Sequence, residues 1–370
     1  MLDASFWAGR RVLLTGHTGF KGSWLLLWLQ KLGAQVWGYA LEPDGHQTLF
    51  SELLNEPGSS AGFTHQIGDL ADVKALRELV HRCQPEVVLH LAAQALVRRG
   101  YQDPLGTWAT NVNGSLHLLE ALKPLNHTCA VVMVTTDKVY QNREWVYGYR
   151  ETDQLGGHDP YSASKAAAEL AIASWRSSFC GPAPHQTHHL RIATARAGNV
   201  IGGGDWAEDR IVPDAIRALV AGQQIPVRNP LATRPWQHVL EPLGAYLRLA
   251  QVLACEVAPP CEAFNFGPNL DSNRPVHELV DSMLSHWPGS WLDQCDPEAP
   301  HEANLLHLQI DKAHNQLGWK PCWDYRTTVQ RTVNWYLKHH RGNSALSCCQ
   351  ADLQAYQSAC ILSSEYTQAP

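Results

Sequence analysis

The sequence predicts an α/β protein: a Rossmann-type doubly wound parallel sheet with a smaller α/β C-terminal domain. Three observations carry this expectation. Short, continuously apolar runs alternate with helical patterns through the first two-thirds of the chain. A glycine-rich turn joins the first run to the first helical pattern. After Asn199 the texture changes, and glycine, proline and tryptophan become frequent. Strands that are apolar at every position belong to a sheet covered on both faces, which is the parallel α/β arrangement.

Taken in order, Arg11 to Thr15 reads as a buried strand, followed by a helix from about Phe20 to Leu32 that Gly33 stops. A second strand runs from Gln35 to Leu41, and a third ends near Asp69, before the helical segment Asp72 to Arg82. Glu86 to Leu91 is a fourth strand and Cys129 to Val134 a fifth. The helix Ser162 to Phe179 then leads to a sixth strand near Leu190 to Ala195. Residues 1–197 and 235–266 are expected to form the first domain, and residues 198–234 and 267–341 the second. Residues 342–370 read as a polar tail, either a loosely attached helix or disordered.

Composition excludes several classes. The chain of 370 residues is 45% hydrophobic and 17% charged, as ordinary folded proteins are. Its net charge of -6 offers no broad basic field for a nucleic-acid backbone. The ten cysteines are scattered without a C-x-x-C pair, and no apolar leader precedes the first strand, so reduced thiols in the cytoplasm are expected. The longest uninterrupted apolar stretch, Trp24 to Leu29, is far short of the ~20 residues a membrane span needs. His185, His188 and His189 lack ligand spacing, so no metal is expected.

The strongest local signal is the turn Gly16-His17-Thr18-Gly19-Phe20-Lys21-Gly22, directly between strand and helix. Glycines at this spacing permit a tight turn, a close approach of backbone to a pyrophosphate and close helix-to-strand packing. The helix start then aims unpaired N–H groups and a positive dipole end at the phosphates. His17 and Lys21 inside the turn either lie against a phosphate or face solvent. Beyond the second strand, Glu42 and Asp44 are both candidates to accept a hydrogen bond from an adenosine 2′-hydroxyl. No Arg or Lys lies between Gly33 and Phe50, which favours NAD over NADP. Asp69 either borders the adenine pocket, with Leu70 beside it, or caps the following helix.

Tyr161-Ser-Ala-Ser-Lys165 places a phenol and an ammonium one helical turn apart. A positive charge near a phenol lowers its pKa, so Tyr161 is expected to serve as a base toward a hydroxyl. An ordinary helix-surface pair is the bland alternative. The motif follows a fifth strand that ends in Thr135-Thr136-Asp137, and this context favours the catalytic reading.

With GHTGFKGSWL (16–25), TTDKVY (135–140) and RPWQHVLEPL (234–243), nearly the whole chain resembles the nucleotide-sugar dehydratases and epimerases of the extended short-chain dehydrogenase/reductase superfamily. It is most similar to the CDP-glucose subgroup of 4,6-dehydratases, whose Asp-Lys pair matches Asp137-Lys138. The dTDP-glucose relatives carry Asp-Glu there. The resemblance implies a hydro-lyase that moves a hydride from C4 to C6 of the hexose through NAD. Tyr161 then takes the C4 hydroxyl proton and Thr136 bonds the sugar O4. Asp137 protonates the departing C6 hydroxyl. Lys138 either removes the C5 proton, which requires a neutral amine, or stays charged and stabilises the enolate. Lys165 also reaches the nicotinamide ribose.

The resemblance further implies that Leu91, Ala92 and Ala93 pass the nicotinamide-side ribose and that Asn111 supports the active-site helix on the substrate side. Asn199 and Arg234 are matched to contacts with the nucleotide diphosphate, and Arg210, Asn265 and His301-Glu302 are weaker substrate candidates. His90 reads better as a core histidine, and Trp206 and Trp236 as packing residues. The family also implies a homo-oligomer, a dimer or tetramer. Rival readings are a dehydratase for dTDP-glucose or GDP-mannose, a 4-epimerase of the same fold, and a non-catalytic NAD-sensing or RNA-binding protein. The last would show a broken Y-x-x-x-K or a basic face, and the sequence has neither.

Overall fold

A computed structural model of the chain describes residues 2–45, 47–56, 62–181, 189–295 and 305–365. Seven strands build the central sheet: β1 (Arg11–Thr15), β2 (Gln35–Ala40), β3 (Phe63–Ile67), β4 (Val87–His90), β5 (Cys129–Val134), β6 (Leu190–Ala197) and β7 (Ala263–Phe266). Their order is β7-β6-β5-β4-β1-β2-β3, and every pair is parallel. The chain leaves β1 outward to β2 and β3, then returns to β4 on the other side. β1 and β4 therefore flank the switch point, where open α/β sheets bind their ligands.

Both faces of the sheet are covered, which explains why its central strands are apolar throughout. In β1, Val12 and Leu14 enter one core and Leu13 the other. The first core lies under α1 (Phe20–Lys31) and the second under α2 (Val73–Cys83), α3 (Gly114–Leu122) and α4 (Pro160–Phe179). Each fully buried Leu or Val there contributes roughly 1.5–3 kcal/mol. Helix starts follow local chemistry. Asp72 caps α2 by accepting the Ala75 N–H at 2.9 Å, and Asp159 caps α4 by accepting that of Ser162 at 2.9 Å, with Pro160 in the first turn.

Beyond β6 the chain makes short strand pairs at the carboxyl end of the sheet. Val200–Ile201 runs with Gln237–His238, Thr233–Pro235 with Asn273–Pro275, and Ile225–Val227 with Trp291–Asp293. A helix and a strand, α5 (Leu240–Cys255) and β7, then return to the sheet. After them come α6 (Tyr325–His340) and α7 (Ala345–Glu365).

Two expectations are corrected here. The tail is neither loose nor disordered through residue 365. Ala345, Cys348, Cys349, Leu353 and Tyr356 on α7 are buried in the first core, and Tyr356 packs edge-on against Trp28 and Trp323. Weak periodicity concealed this because small residues and cysteines make up much of the buried face. Nor are all thiols reduced: Cys322 and Cys360 form a disulfide that ties α7 to the segment before α6. Only the fold brings these two distant positions together. Among the described residues, no helix is long and apolar enough to cross a membrane.

Candidate active site

The glycine turn sits above the carboxyl ends of β1 and β4. Gly16 adopts φ +77°, and a Cβ there would lie 2.6 Å from the Ala92 nitrogen. A Cβ on Gly22 would lie 2.0 Å from the Gly16 carbonyl oxygen, whereas one on exposed Gly19 would meet only ordinary contacts. Gly16 and Gly22 therefore close the turn, and Gly19 leaves its outer side open. No side chain caps α1 at Gly19, so its first N–H groups face the cradle. Phe20 reaches from this turn toward Gly202.

His17 takes neither of its expected places. It is fully buried beneath Gly38, and its Nε2 lies 2.7 Å from His65 Nδ1. Burial, with His65 adding to it, pushes its pKa down to about 3. Lys21 is half-buried and faces the end of β5. Its ammonium interacts with Arg210, Asp137 and Lys165, and lies 5.9 Å from the Tyr246 ring centroid.

On the adenosine side, Glu42 and Asp44 are both exposed. Asp44 is paired with Arg99 at 3.0 Å, while Glu42 interacts with His65. Arg99 is far away in sequence, so a search for cations between Gly33 and Phe50 does not reach it. Asp69 is not a helix cap, since Asp72 fills that place. Its carboxylate accepts the Ala71 N–H at 2.9 Å, and Leu70 beside it packs over Gly114. His90 is a core residue held by Thr15 at 2.7 Å and Ser115 at 3.2 Å. The stretch Leu91, Ala92 and Ala93 runs against the glycine turn, anchored by the Leu91 N–H on the Thr15 carbonyl at 3.1 Å.

Asn111, expected on the substrate side, is buried in a π-helical turn. Its amide is spent on the Gln94 backbone at 2.9 and 3.1 Å and on Ser164 at 2.9 Å. It supports the start of α4 instead of facing a ligand.

The chemistry converges where β5 ends. Thr136 and Asp137 are buried there, and Lys138 is half-buried beside them in a short 3-10 turn. The Thr136 hydroxyl donates to Asp137 at 3.0 Å and interacts with the Tyr161 phenol. Burial raises the Asp137 carboxyl above its usual range, against the pull of Lys138, Thr136, Arg234 and Lys21. The Tyr161 phenol is not lowered as expected. Burial raises it to about 12, with Thr136 and Arg210 opposing and Asp137 and Asp159 assisting. Lys165 is not among the groups that act on the phenol: its ammonium donates to the Val134 carbonyl at 3.3 Å and is itself pushed down by burial to about 8.

A supporting network was not foreseen in the sequence. Glu169, one turn beyond Lys165, accepts from Thr135 at 2.5 Å, Thr194 at 2.8 Å and Arg196 at 2.9 Å. Burial works to raise its carboxyl, but Arg196 and these hydrogen bonds hold it below the usual range. An acid on the buried face of an otherwise small and apolar helix was the available signal.

Arg210 precedes the helix Ile211–Val220 and is paired with Asp205 at 3.0 Å while still facing Tyr161 and Lys21. Arg234, on the strand Thr233–Pro235, faces Asp137, and Asn199 is half-buried just after β6. Asn265, expected at the substrate, is a core residue instead. It is fully buried in β7, where it accepts from Tyr140 at 2.7 Å and donates to the carbonyls of Tyr149 and Gln309. Trp236 packs with its Nε1 on the Arg274 carbonyl, and Trp206 packs against Tyr336. Glu302 lies outside the described residues.

Residues 13–258 match the family model described as GDP-mannose 4,6 dehydratase. A curated CDP-glucose 4,6-dehydratase from Salmonella typhimurium is 47% identical over 362 residues, covering 97% of this chain and 99% of that one. The chain belongs to the nucleotide-sugar 4,6-dehydratase family. Solved structures show the same fold. One is a dTDP-glucose 4,6-dehydratase from Bacillus anthracis in complex with NAD, with a TM-score of 0.74, 20% identity and coverage of 91% of this chain and 100% of that one. Another is DesIV from Streptomyces venezuelae, with a TM-score of 0.73, 22% identity and coverage of 91% and 99%. In this dehydratase, Lys21 beside the glycine turn interacts with Asp137 after β5 and Lys165 on α4 at the carboxyl end of the sheet.

Proposed function

We propose that the protein converts CDP-D-glucose to the 4-keto-6-deoxy sugar nucleotide, using NAD as a resident hydride carrier. One observation carries the reaction class: a buried carboxyl, Asp137, held protonated more readily than usual beside Thr136, Tyr161 and Lys138. A 4-epimerase needs no such acid, whereas expulsion of a C6 hydroxyl does. The choice of CDP-glucose is supported by the 47% identity to the Salmonella relative and by the Asp137-Lys138 pair.

The residues fit the cofactor. The open side of Gly19 and the uncapped start of α1 suit a pyrophosphate, and Leu70, Leu91, Ala92 and Ala93 border the path of the dinucleotide. Glu42 is assigned to the adenosine ribose, because Arg99 engages Asp44. Bound there, NAD would supply the hydride acceptor for C4 and the hydride donor for C6. Tyr161 takes the C4 hydroxyl proton while Thr136 holds the same oxygen. Lys165 orients the ribose hydroxyls, Asp137 gives its proton to the C6 oxygen, and Lys138 receives the C5 proton. Asn199, Arg210 and Arg234 line the diphosphate side, where a guanidinium fork suits phosphate oxygens.

The test is separate incubation with CDP-glucose, dTDP-glucose, GDP-mannose and UDP-glucose in the presence of NAD, following keto-sugar formation. Turnover of CDP-glucose is the expected result. Turnover of dTDP-glucose alone overturns the nucleotide choice, and epimerised product without deoxygenation overturns the reaction class. Pairing of two copies is also inferred, supported by exposed Tyr101, Leu105, Trp108 and Leu170 on α4 and the helices packed against it. Mass measurement in solution checks it, and a monomer would refute it.

A further inference from the structure

Lys21 stands beside the glycine turn in the first turn of α1, and its ammonium interacts with the acid at the end of β5. Its ammonium meets four groups from other elements. It interacts with Asp137 after β5, Lys165 on α4 and Arg210 before the helix Ile211–Val220, and it lies 5.9 Å from the Tyr246 ring centroid on α5. That distance is within reach of a cation–π contact. Tyr246 is fully buried, and among the described residues its hydroxyl has no hydrogen-bond partner. The phenol in turn interacts with Tyr161 and Asp137. A half-buried cation and an orphaned hydroxyl therefore both interact with the acid that the dehydration uses.

We propose that Lys21 belongs to the sugar site, as a positioning residue that, seated on Tyr246, sets how readily Asp137 gives up its proton. The inference rests on the 4,6-dehydratase reading. In the elimination, Lys138 takes the C5 proton, the C5–H electron pair becomes the C5–C6 double bond, the C6–O bond breaks, and the hydroxyl leaves as water with the Asp137 proton. Asp137 is left as a carboxylate. The charged groups that face it are Lys21, Lys138 and Arg234, with the phenols of Tyr161 and Tyr246 nearby. A carboxyl raised by burial gives up its proton less readily than a free one. A cation in the turn offsets that burial.

Rapid-quench assays of the holoenzyme with CDP-glucose separate 4-keto-glucose from the 4-keto-6-deoxy product. Lys21→Met should leave NAD affinity and C4 oxidation near the wild-type level. Elimination should slow about ten-fold or more at neutral pH, and its alkaline limb should move to higher pH, because Asp137 loses a stabilising charge. Lys21→Arg, which keeps the charge, should return the limb toward the wild-type position. An NAD affinity weakened about ten-fold with an unchanged elimination profile would make Lys21 a phosphate ligand and overturn the proposal. A variant indistinguishable from wild type would overturn it as well. The failure of the underlying reading is separate: the wild type itself would form no deoxygenated product.

Discussion

At the residue scale, the site separates its tasks by environment. Asp137 and Tyr161 lie close together, yet each is raised by burial against different opposing charges. Asp137 must carry a proton to expel the C6 hydroxyl. The elimination rate should therefore fall as pH rises through its raised pKa, whereas C4 oxidation, which needs Tyr161 to accept a proton, should rise with pH. Asp137→Asn should slow elimination about 10²–10⁴-fold and let 4-keto-glucose accumulate, with NADH visible in its absorbance. Lys138→Ala should likewise stop elimination while transient NADH still forms. Turnover of that variant at the wild-type rate removes Lys138 from the mechanism.

At the element scale, the turn between β1 and α1 and the start of α4 are the two parts that must keep their shape. A methyl group on Gly22 meets backbone at 2.0 Å, which no side-chain adjustment relieves. Gly22→Ala should therefore abolish NAD binding, measured by calorimetry, together with a lowered melting temperature. The end of β5 is held through Glu169, which ties Thr135 to Arg196 across β6. Removing one partner of a buried ion pair leaves the other uncompensated. Glu169→Gln should cost about 3–5 kcal/mol in denaturant unfolding. These contacts were partly legible: the glycine spacing and the Tyr161/Lys165 motif stood out in the sequence, but the Glu169 network joins residues from three separate elements.

At the scale of the whole molecule, α7 is docked through Glu241. This fully buried carboxyl accepts the N–H groups of Cys322 and Trp323 and the hydroxyl of Tyr356. Burial lifts its pKa from 4.5 to about 7, and that of Asp352 on α7 from 3.8 to about 7. Between those limits the folded protein keeps protons that the unfolded chain has released. Stability should therefore decline as pH rises from about 4.5 to about 7 and level off above, Glu241 contributing on the order of 3 kcal/mol. Glu241→Gln keeps the packing and should flatten this decline in melting temperature, leaving the share due to Asp352. A decline of unchanged size would show that Glu241 is not its source.

The sequence by itself determined the alternation of elements, the phosphate-binding turn, the Tyr161/Lys165 helix and the Thr136-Asp137-Lys138 corner, because each is written in neighbouring residues. Local spacing is enough for a turn, a cap or one helical face. Only the tertiary structure decided where long side chains point and what surrounds them. It turned Lys21 toward Asp137, buried His17 beneath Gly38, engaged Asn111 and Asn265 in the interior, brought Arg99 to Asp44 and docked α7 over the core. Burial and long-range charge set those outcomes, and both depend on groups far apart in the chain.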